Sequence, residues 1–211
     1  MEIYRLVFSP ISVNTFILAD SDNKCAVIDC GCYDEEEFRQ LTDFLEDKKL
    51  VPVLLLNTHC HLDHIFGNRR FLEKYGLGTH CHEDDEMNRK SAVKQAMFFG
   101  LMMEEPPVPE GIIEGGQIIS FGQITLKAIH VPGHSPGSLA FYCEKEGVVF
   151  TGDALFAGSI GRTDLPGGDH KTLISSITGK LFTLPENTVV YPGHYGSTTI
   201  GEEIKTNPYF V

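Results

Sequence analysis

The chain of 211 residues has no tryptophan, no Cys-x-x-Cys pair and no low-complexity segment. Its apolar runs all fall well short of the roughly 20 residues of a membrane-spanning helix, so the reading is of a protein with no membrane partner. The six cysteines, Cys25, Cys30, Cys32, Cys60, Cys81 and Cys143, lack the spacing of a zinc ribbon. In a chain this long they imply a reducing compartment rather than a disulfide framework. The first five residues carry no basic stretch leading into an apolar run, and a cytoplasmic location is expected. Basic residues are scarce: 17 Lys and Arg stand against 29 Asp and Glu, for a net charge of −12. The densest basic pair is Arg69-Arg70, and so acidic a surface repels phosphate backbones. Nucleic acid is excluded as an expected partner.

What is present is ordinary for a globular protein: 42% hydrophobic and 22% charged residues. Scaling rules give about 9,700 Å² of folded surface against about 34,000 Å² unfolded. A single domain over 1–211 can therefore close a core of its own. Strand-like runs at 3–8, 15–19 and 25–28 suggest a meander. Asp34 then caps a helix, with Glu37 three residues on and Phe38, Leu41 and Leu45 as its stripe. The run 52–56 is apolar throughout, as in a strand covered on both faces. Helical patterns are expected at 65–75, 91–103 and 169–182. Further strands are expected at 79–82, 117–120, 123–130, 138–143, 148–151 and 188–191. Two sheets face to face, with helices outside both, satisfy this order.

The unusual feature is nine histidines, unevenly spread. His59, His61, Asp63 and His64 lie within six residues. His134, Asp153 and His194 follow far downstream, each beside a glycine turn and each just after an expected strand. In a layered sheet fold such strand ends meet at one edge. Imidazole and carboxylate together suit Zn²⁺ and tolerate Fe or Mn. Seven ligands exceed one four-coordinate zinc but divide between two ions sharing Asp153, about 3.5–4 Å apart. His59 and His61 alternate, so they point to one side of an extended segment. Asp63 and His64 lie beyond the turn and can face a second ion.

The segments 58–64, 130–138, 151–153 and 192–194 together resemble the metallo-β-lactamase superfamily. The resemblance covers nearly the whole chain. It implies an α/β fold, the four-layer αββα sandwich, with a dinuclear site at the sheet edge. By motif position it assigns His59, His61 and His134 to one ion, and Asp63, His64 and His194 to the other. Asp153 bridges them, and Asp63 and Asp153 are the carboxylates of the catalytic centre. The bridging carboxylate and the stretch 156–169 resemble the compact glyoxalase II-like hydrolases, which implies a thioester of the hydroxyacyl-thiol type as substrate. The chain ends about seventeen residues after His194, with no room for the helical domain that holds glutathione in the long forms.

A water between two divalent ions has its pKa lowered to about 7, so hydroxide attack on a thioester carbonyl is expected. The thiolate leaves without a strong acid, because its own pKa is near 8.5. A one-iron persulfide dioxygenase using the positions of His59, His134 and Asp153, and a lactonase, are the alternatives on this fold. An RNA-processing hydrolase shares the histidine motif, but this acidic chain lacks an RNA-gripping extension. Asp29 is expected to orient a ligand imidazole from behind. Arg162 can fork onto a substrate carboxylate, and Tyr195 can reach the cleft. His130 and His170 read as structural, and His80, Cys81 and His82 as a poor zinc cage. Cys60 should face away from the ligands. The Phe and Met residues of 97–103 are expected to pack in the core.

Overall fold

A computed structural model describes every residue from Met1 to Val211. The first sheet has six strands in sequential order: β1 (Glu2–Phe8), β2 (Val13–Ala19), β3 (Lys24–Ile28), β4 (Val51–Leu56), β5 (Thr79–Cys81) and β6 (Gly111–Ile112). The strands β1 to β3 form the expected antiparallel meander, and β3 to β6 run parallel. The second sheet contains β7 (Ile118–Phe121), β8 (Ile124–His130), β9 (Leu139–Cys143) and β10 (Val148–Gly152). A short hairpin, β11 (Leu155–Phe156) with β12 (Ser159–Ile160), stands apart; β13 (Val189–Pro192) and β14 (Thr198–Thr199) complete the sheet in the order β14-β13-β10-β9-β8-β7.

The period-2 alternation of each strand sorts its side chains between two layers. Phe16, Leu18, Ala26 and Ile28 point inward and meet Leu126, Leu139, Phe141 and Phe150 of the other sheet. Their neighbours Ile17, Ala19, Cys25 and Val27 point outward against the helices α1 (Glu35–Asp47) and α3 (Asn68–Tyr75), through Phe38, Leu41, Leu45 and Phe71. On the far side Ala140, Tyr142, Val149 and Val190 pack under Leu173, Ile177 and Leu181. Two faces buried on each central strand give four layers, αββα. The folded surface is 9391 Å², and no helix is long and apolar enough to cross a membrane.

Asp34 caps α1 as expected, accepting from the Glu37 N–H at 2.9 Å. The Glu37 carboxylate reaches back to the Tyr33 N–H at 2.8 Å and to the Ser9 N–H at 2.9 Å, which ties the helix to the first hairpin. The helix expected at 65–75 is two pieces, α2 (Leu62–Ile65) and α3. Gly67 breaks it: its N–H donates to the Cys30 carbonyl at 2.8 Å, and a side chain there would overlap Cys30. The next helix, α4 (Glu86–Phe98), starts five residues earlier than 91 and ends before the Phe/Met run finishes. Helix α5 (His170–Ser176) continues as a wider turn to Leu181, and α6 (Ile200–Thr206) follows the last strand.

The expectation that the Phe and Met residues of 97–103 fill the core holds only for Met103, which packs partly buried against the cluster around Leu62 and Phe66. Met97, Phe98 and Met102 are 72%, 85% and 83% exposed, and Phe99 53%. The core closes without them because strand residues already fill both faces of each sheet.

Strand direction decides where function can sit. The strands β3 and β4 are parallel, as are β10 and β13; β8 is antiparallel to β9, which is antiparallel to β10. The C-terminal ends of β8, β10 and β13 thus share one edge of their sheet. Backbone bonds join that edge to the other sheet: Leu139 N–H to Thr58 O at 2.7 Å, and Asn14 N–H to Gly193 O at 2.7 Å.

All six cysteines are free and buried, and burial pushes the Cys25 thiol up to about 12. The folded protein should therefore leave all six unreacted with an aromatic disulfide reagent at pH 8, and denaturant should release six equivalents. Rapid labelling of the native protein would contradict this packing.

Candidate metal centre

The loop after β4 carries His59 and His61, and α2 begins at once with Leu62, bringing Asp63 and His64 onto its first turn. His134 follows the Pro-Gly turn after β8, Asp153 follows β10, and His194 follows β13. All seven expected residues come together. The donor atoms of His59, His61 and His134 lie within 4.8 Å of one another, as do those of Asp63, His64 and His194. A third overlapping group, His59, His64 and Asp153, joins the two. Asp153 Oδ1 lies 3.4 Å from His64 Nε2, and its Oδ2 lies 3.7 Å from His134 Nε2 and 3.5 Å from His194 Nε2.

Outer hydrogen bonds settle which ring nitrogen faces inward. His134 Nδ1 donates to the Arg162 carbonyl at 2.8 Å, and His194 Nδ1 to the Ser12 carbonyl at 3.1 Å. His64 Nδ1 faces Asp29 Oδ2 at 2.9 Å. Thr58 Oγ1 gives its proton to Asp29 Oδ2 at 2.6 Å, so at 3.1 Å it accepts from His59 Nδ1. Four Nε2 atoms are thereby directed into the centre, where His194 Nε2 lies 3.2 Å from Asp63 Oδ2 and His134 Nε2 lies 3.2 Å from His59 Nε2. His61 turns Nδ1 inward instead, 2.8 Å from His134 Nε2. Lone pairs this close repel unless a cation lies between them. Three buried atoms of this cluster, His61 Nε2, His64 Nε2 and Asp153 Oδ1, have no hydrogen-bond partner. The donor set thus fits a divalent cation.

The charges agree. Burial, and then the neighbouring rings, hold His59 well below the usual histidine value; burial and His134 hold His61 down at about 3. Those rings are neutral and ready to ligate at any ordinary pH. Burial opposes charge on His64 too, yet Asp63, Asp153 and Asp29 raise it well above the usual value. His194 is raised by Asp63 and Asp153 against the same burial. Burial works to raise Asp63 and Asp153, and His64 overrides it and lowers both. This half of the centre holds a cation of some kind, a proton or a metal ion.

Asp29 adopts a left-handed backbone, φ 57°. That turn lets one carboxylate accept from the Thr58 N–H at 2.7 Å while it faces His64. Gly193 is a close approach: a side chain there would overlap Asp153 Oδ1 and His64. Cys60 faces away, into a buried cluster with Cys81, as expected. The Arg162 guanidinium lines the cleft above the centre but is forked onto Asp164 at 2.7 Å through both nitrogens, so a substrate carboxylate has to displace that partner. Tyr195 stands at the rim, 74% exposed. His170 sits at the start of α5 behind its Asp169 cap. His82 does find partners, since its donor atom lies within 4.8 Å of those of Asp84 and His130, but its ring stacks on His130 at 4.1 Å and 10°, and His130 Nε2 is engaged by the Pro136 carbonyl at 2.8 Å.

The sequence reading missed Asp85. It lies in the acidic run 83–86, which looks like a solvated turn, yet it is completely buried. Its carboxylate accepts from the Cys60 N–H at 2.6 Å, Ser135 Oγ at 3.0 Å and the Gly137 N–H at 2.8 Å. It thus ties the His59–His61 segment to the His134 turn. Nothing in the local pattern distinguishes Asp85 from Glu83 or Asp84. Replacing Asp85 by alanine strands those buried donors and should cost roughly 2–4 kcal/mol in denaturant unfolding; a loss below about 1 kcal/mol would show that the knot is dispensable. Because His64 and His194 are raised by their carboxylate neighbours, a metal ion competes with protons for their rings. Metal binding should release protons and tighten as pH rises, which calorimetry in buffers of different ionisation enthalpy measures.

The model of the metallo-β-lactamase superfamily matches residues 9–194. Hydroxyacylglutathione hydrolase GloC of Haemophilus influenzae is 35% identical, over 99% of this chain and 98% of its own length. Among solved structures, the BLEG-1 B3 metallo-β-lactamase has a TM-score of 0.92 at 32% identity, with full coverage of both chains. The TTHA1623 protein in a di-iron-bound form has a TM-score of 0.89 at 36% identity, over 98% of this chain and 99% of that one. Four layers, strand ends that gather seven inward-facing donors, and these likenesses converge: the chain belongs to the metallo-β-lactamase superfamily of metal-dependent hydrolases.

Proposed function

We propose that this protein is a binuclear hydrolase that cleaves thioesters of the hydroxyacyl-thiol type. The observation that carries the reading is the position of Asp153, whose two oxygens lie between the His59–His61–His134 group and the Asp63–His64–His194 group. A complete second group favours two ions over the single iron of a persulfide dioxygenase. In this reading His59, His61 and His134 hold one ion, Asp63, His64 and His194 the other, and Asp153 both. Zinc suits this donor set, and iron or manganese is tolerated. When bound, the pair supplies an activated water and polarises a carbonyl oxygen.

The remaining work belongs to the chain. Asp29, Thr58 and the carbonyls of Ser12 and Arg162 hold the imidazoles in one orientation. Asp63 and Asp153 keep negative charge in a buried place where only cations offset it. The walls of the cleft position the acyl group over that floor. A leaving thiolate needs no proton donor, and thioesters thus suit this site better than amides. The likeness to GloC supports the substrate class. Small-molecule turnover without a nucleic-acid partner, in the reducing cytoplasm, is consistent with the acidic surface and the six free thiols.

Elemental analysis of the purified protein should find two equivalents of divalent metal, and chelation should abolish thioester hydrolysis reversibly. His59→Ala should reduce turnover to background with the fold retained. Asp29→Asn should weaken metal binding by roughly 10–100-fold. Full activity in a clean His59→Ala preparation, or oxygen consumption with glutathione persulfide in place of hydrolysis, would overturn the proposal.

A further inference from the structure

The cleft above the metal-type ligands has a volume of about 560 Å³. Its walls come from separate segments of the chain: Ile11 after β1, Leu62 on α2, Phe99 after α4, Phe156 and Ile160 of the small hairpin, and Leu165 beyond it. Leu62, Phe156 and Ile160 are buried, whereas at the mouth Ile11 is 42% and Phe99 53% exposed. Phe99 continues outward as a ridge, edge-on to Phe98 at 5.4 Å, with Met97 and Met102 beside it. Exposed aromatic and thioether side chains, contiguous with a cleft, mark a surface that an apolar ligand covers.

Charge points the same way. No lysine lines the cleft, and Arg162 is its one guanidinium. Asp164 matches that charge with two hydrogen bonds of 2.7 Å. The chain carries a net −12. A thiol arm bearing carboxylates or phosphates meets no unmatched lysine or arginine along the walls of the cleft.

We infer that the cleft selects thioesters whose arms are apolar and uncharged, with Phe99 as the principal wall and Asp164 as the residue that masks Arg162 against anionic arms. The inference rests on the thioesterase reading of the same site. It names a specificity-determining pair for which the floor ligands alone give no reason.

The test is a substrate matrix on the metal-loaded enzyme. Thioesters of neutral N-acetylcysteamine are compared with glutathione and coenzyme A thioesters of the same 2-hydroxyacyl groups, from hydroxyacetyl to 2-hydroxyhexanoyl. Neutral arms should give the higher kcat/KM, rising about three- to fourfold per added methylene while the wall is contacted. Phe99→Ala should flatten that chain-length slope, with retention of the fold checked by its melting temperature. Asp164→Asn should raise the ratio of anionic to neutral kcat/KM at least tenfold, and the rise should shrink in high salt. A wild-type preference for the glutathione thioester, or an unchanged ratio in Asp164→Asn, overturns the inference and leaves the thioesterase reading standing. Hydrolysis of none of these thioesters overturns both.

Discussion

The centre is organised by bonds that point away from it. Four of the five imidazoles are pinned from behind: His64 by Asp29, His134 by the Arg162 carbonyl, His194 by the Ser12 carbonyl, and His59 by a Thr58 hydroxyl that has already spent its proton on Asp29. These bonds fix the tautomers and force bare nitrogen lone pairs into one small volume beside two buried carboxylates. Such an arrangement is electrostatically unfavourable on its own and favourable around a cation. Much of the surrounding structure serves to hold donors in that position.

The layered fold supplies the rigidity this requires. Strand ends from both sheets deliver the ligands, and backbone bonds at Thr58–Leu139 and Asn14–Gly193 stop the sheets from sliding apart at that edge. Asp85 adds a buried link between the two loops that carry His59, His61 and His134. The loops above the floor are under no such constraint. Ile11 and Phe99 stay exposed there, and the cleft is where relatives on one fold can differ in substrate while keeping the same floor.

Much of this was legible from residue order. The strand-like runs 15–19 and 25–28 placed the meander, the apolar run 52–56 placed a covered strand, and Asp34 with Glu37 placed the start of a helix. The seven donors were legible because each follows a strand and sits at a turn. The helix expected at 65–75 was not read correctly, because the break at Gly67 depends on Cys30, which is remote in sequence. The Phe/Met run was misread as core because hydrophobicity reports what a side chain avoids, not whether space remains for it inside.

The amino-acid order alone determined the layer architecture and the kind of atoms available for chemistry, because strand periodicity and donor type are local properties. Only the tertiary structure decided which nitrogen of each ring faces the centre, that Asp85 among four consecutive acids is buried, and that Arg162 is already matched by Asp164. Those outcomes depend on which distant groups come within hydrogen-bond reach, and that distance is set by packing rather than by any stretch of sequence.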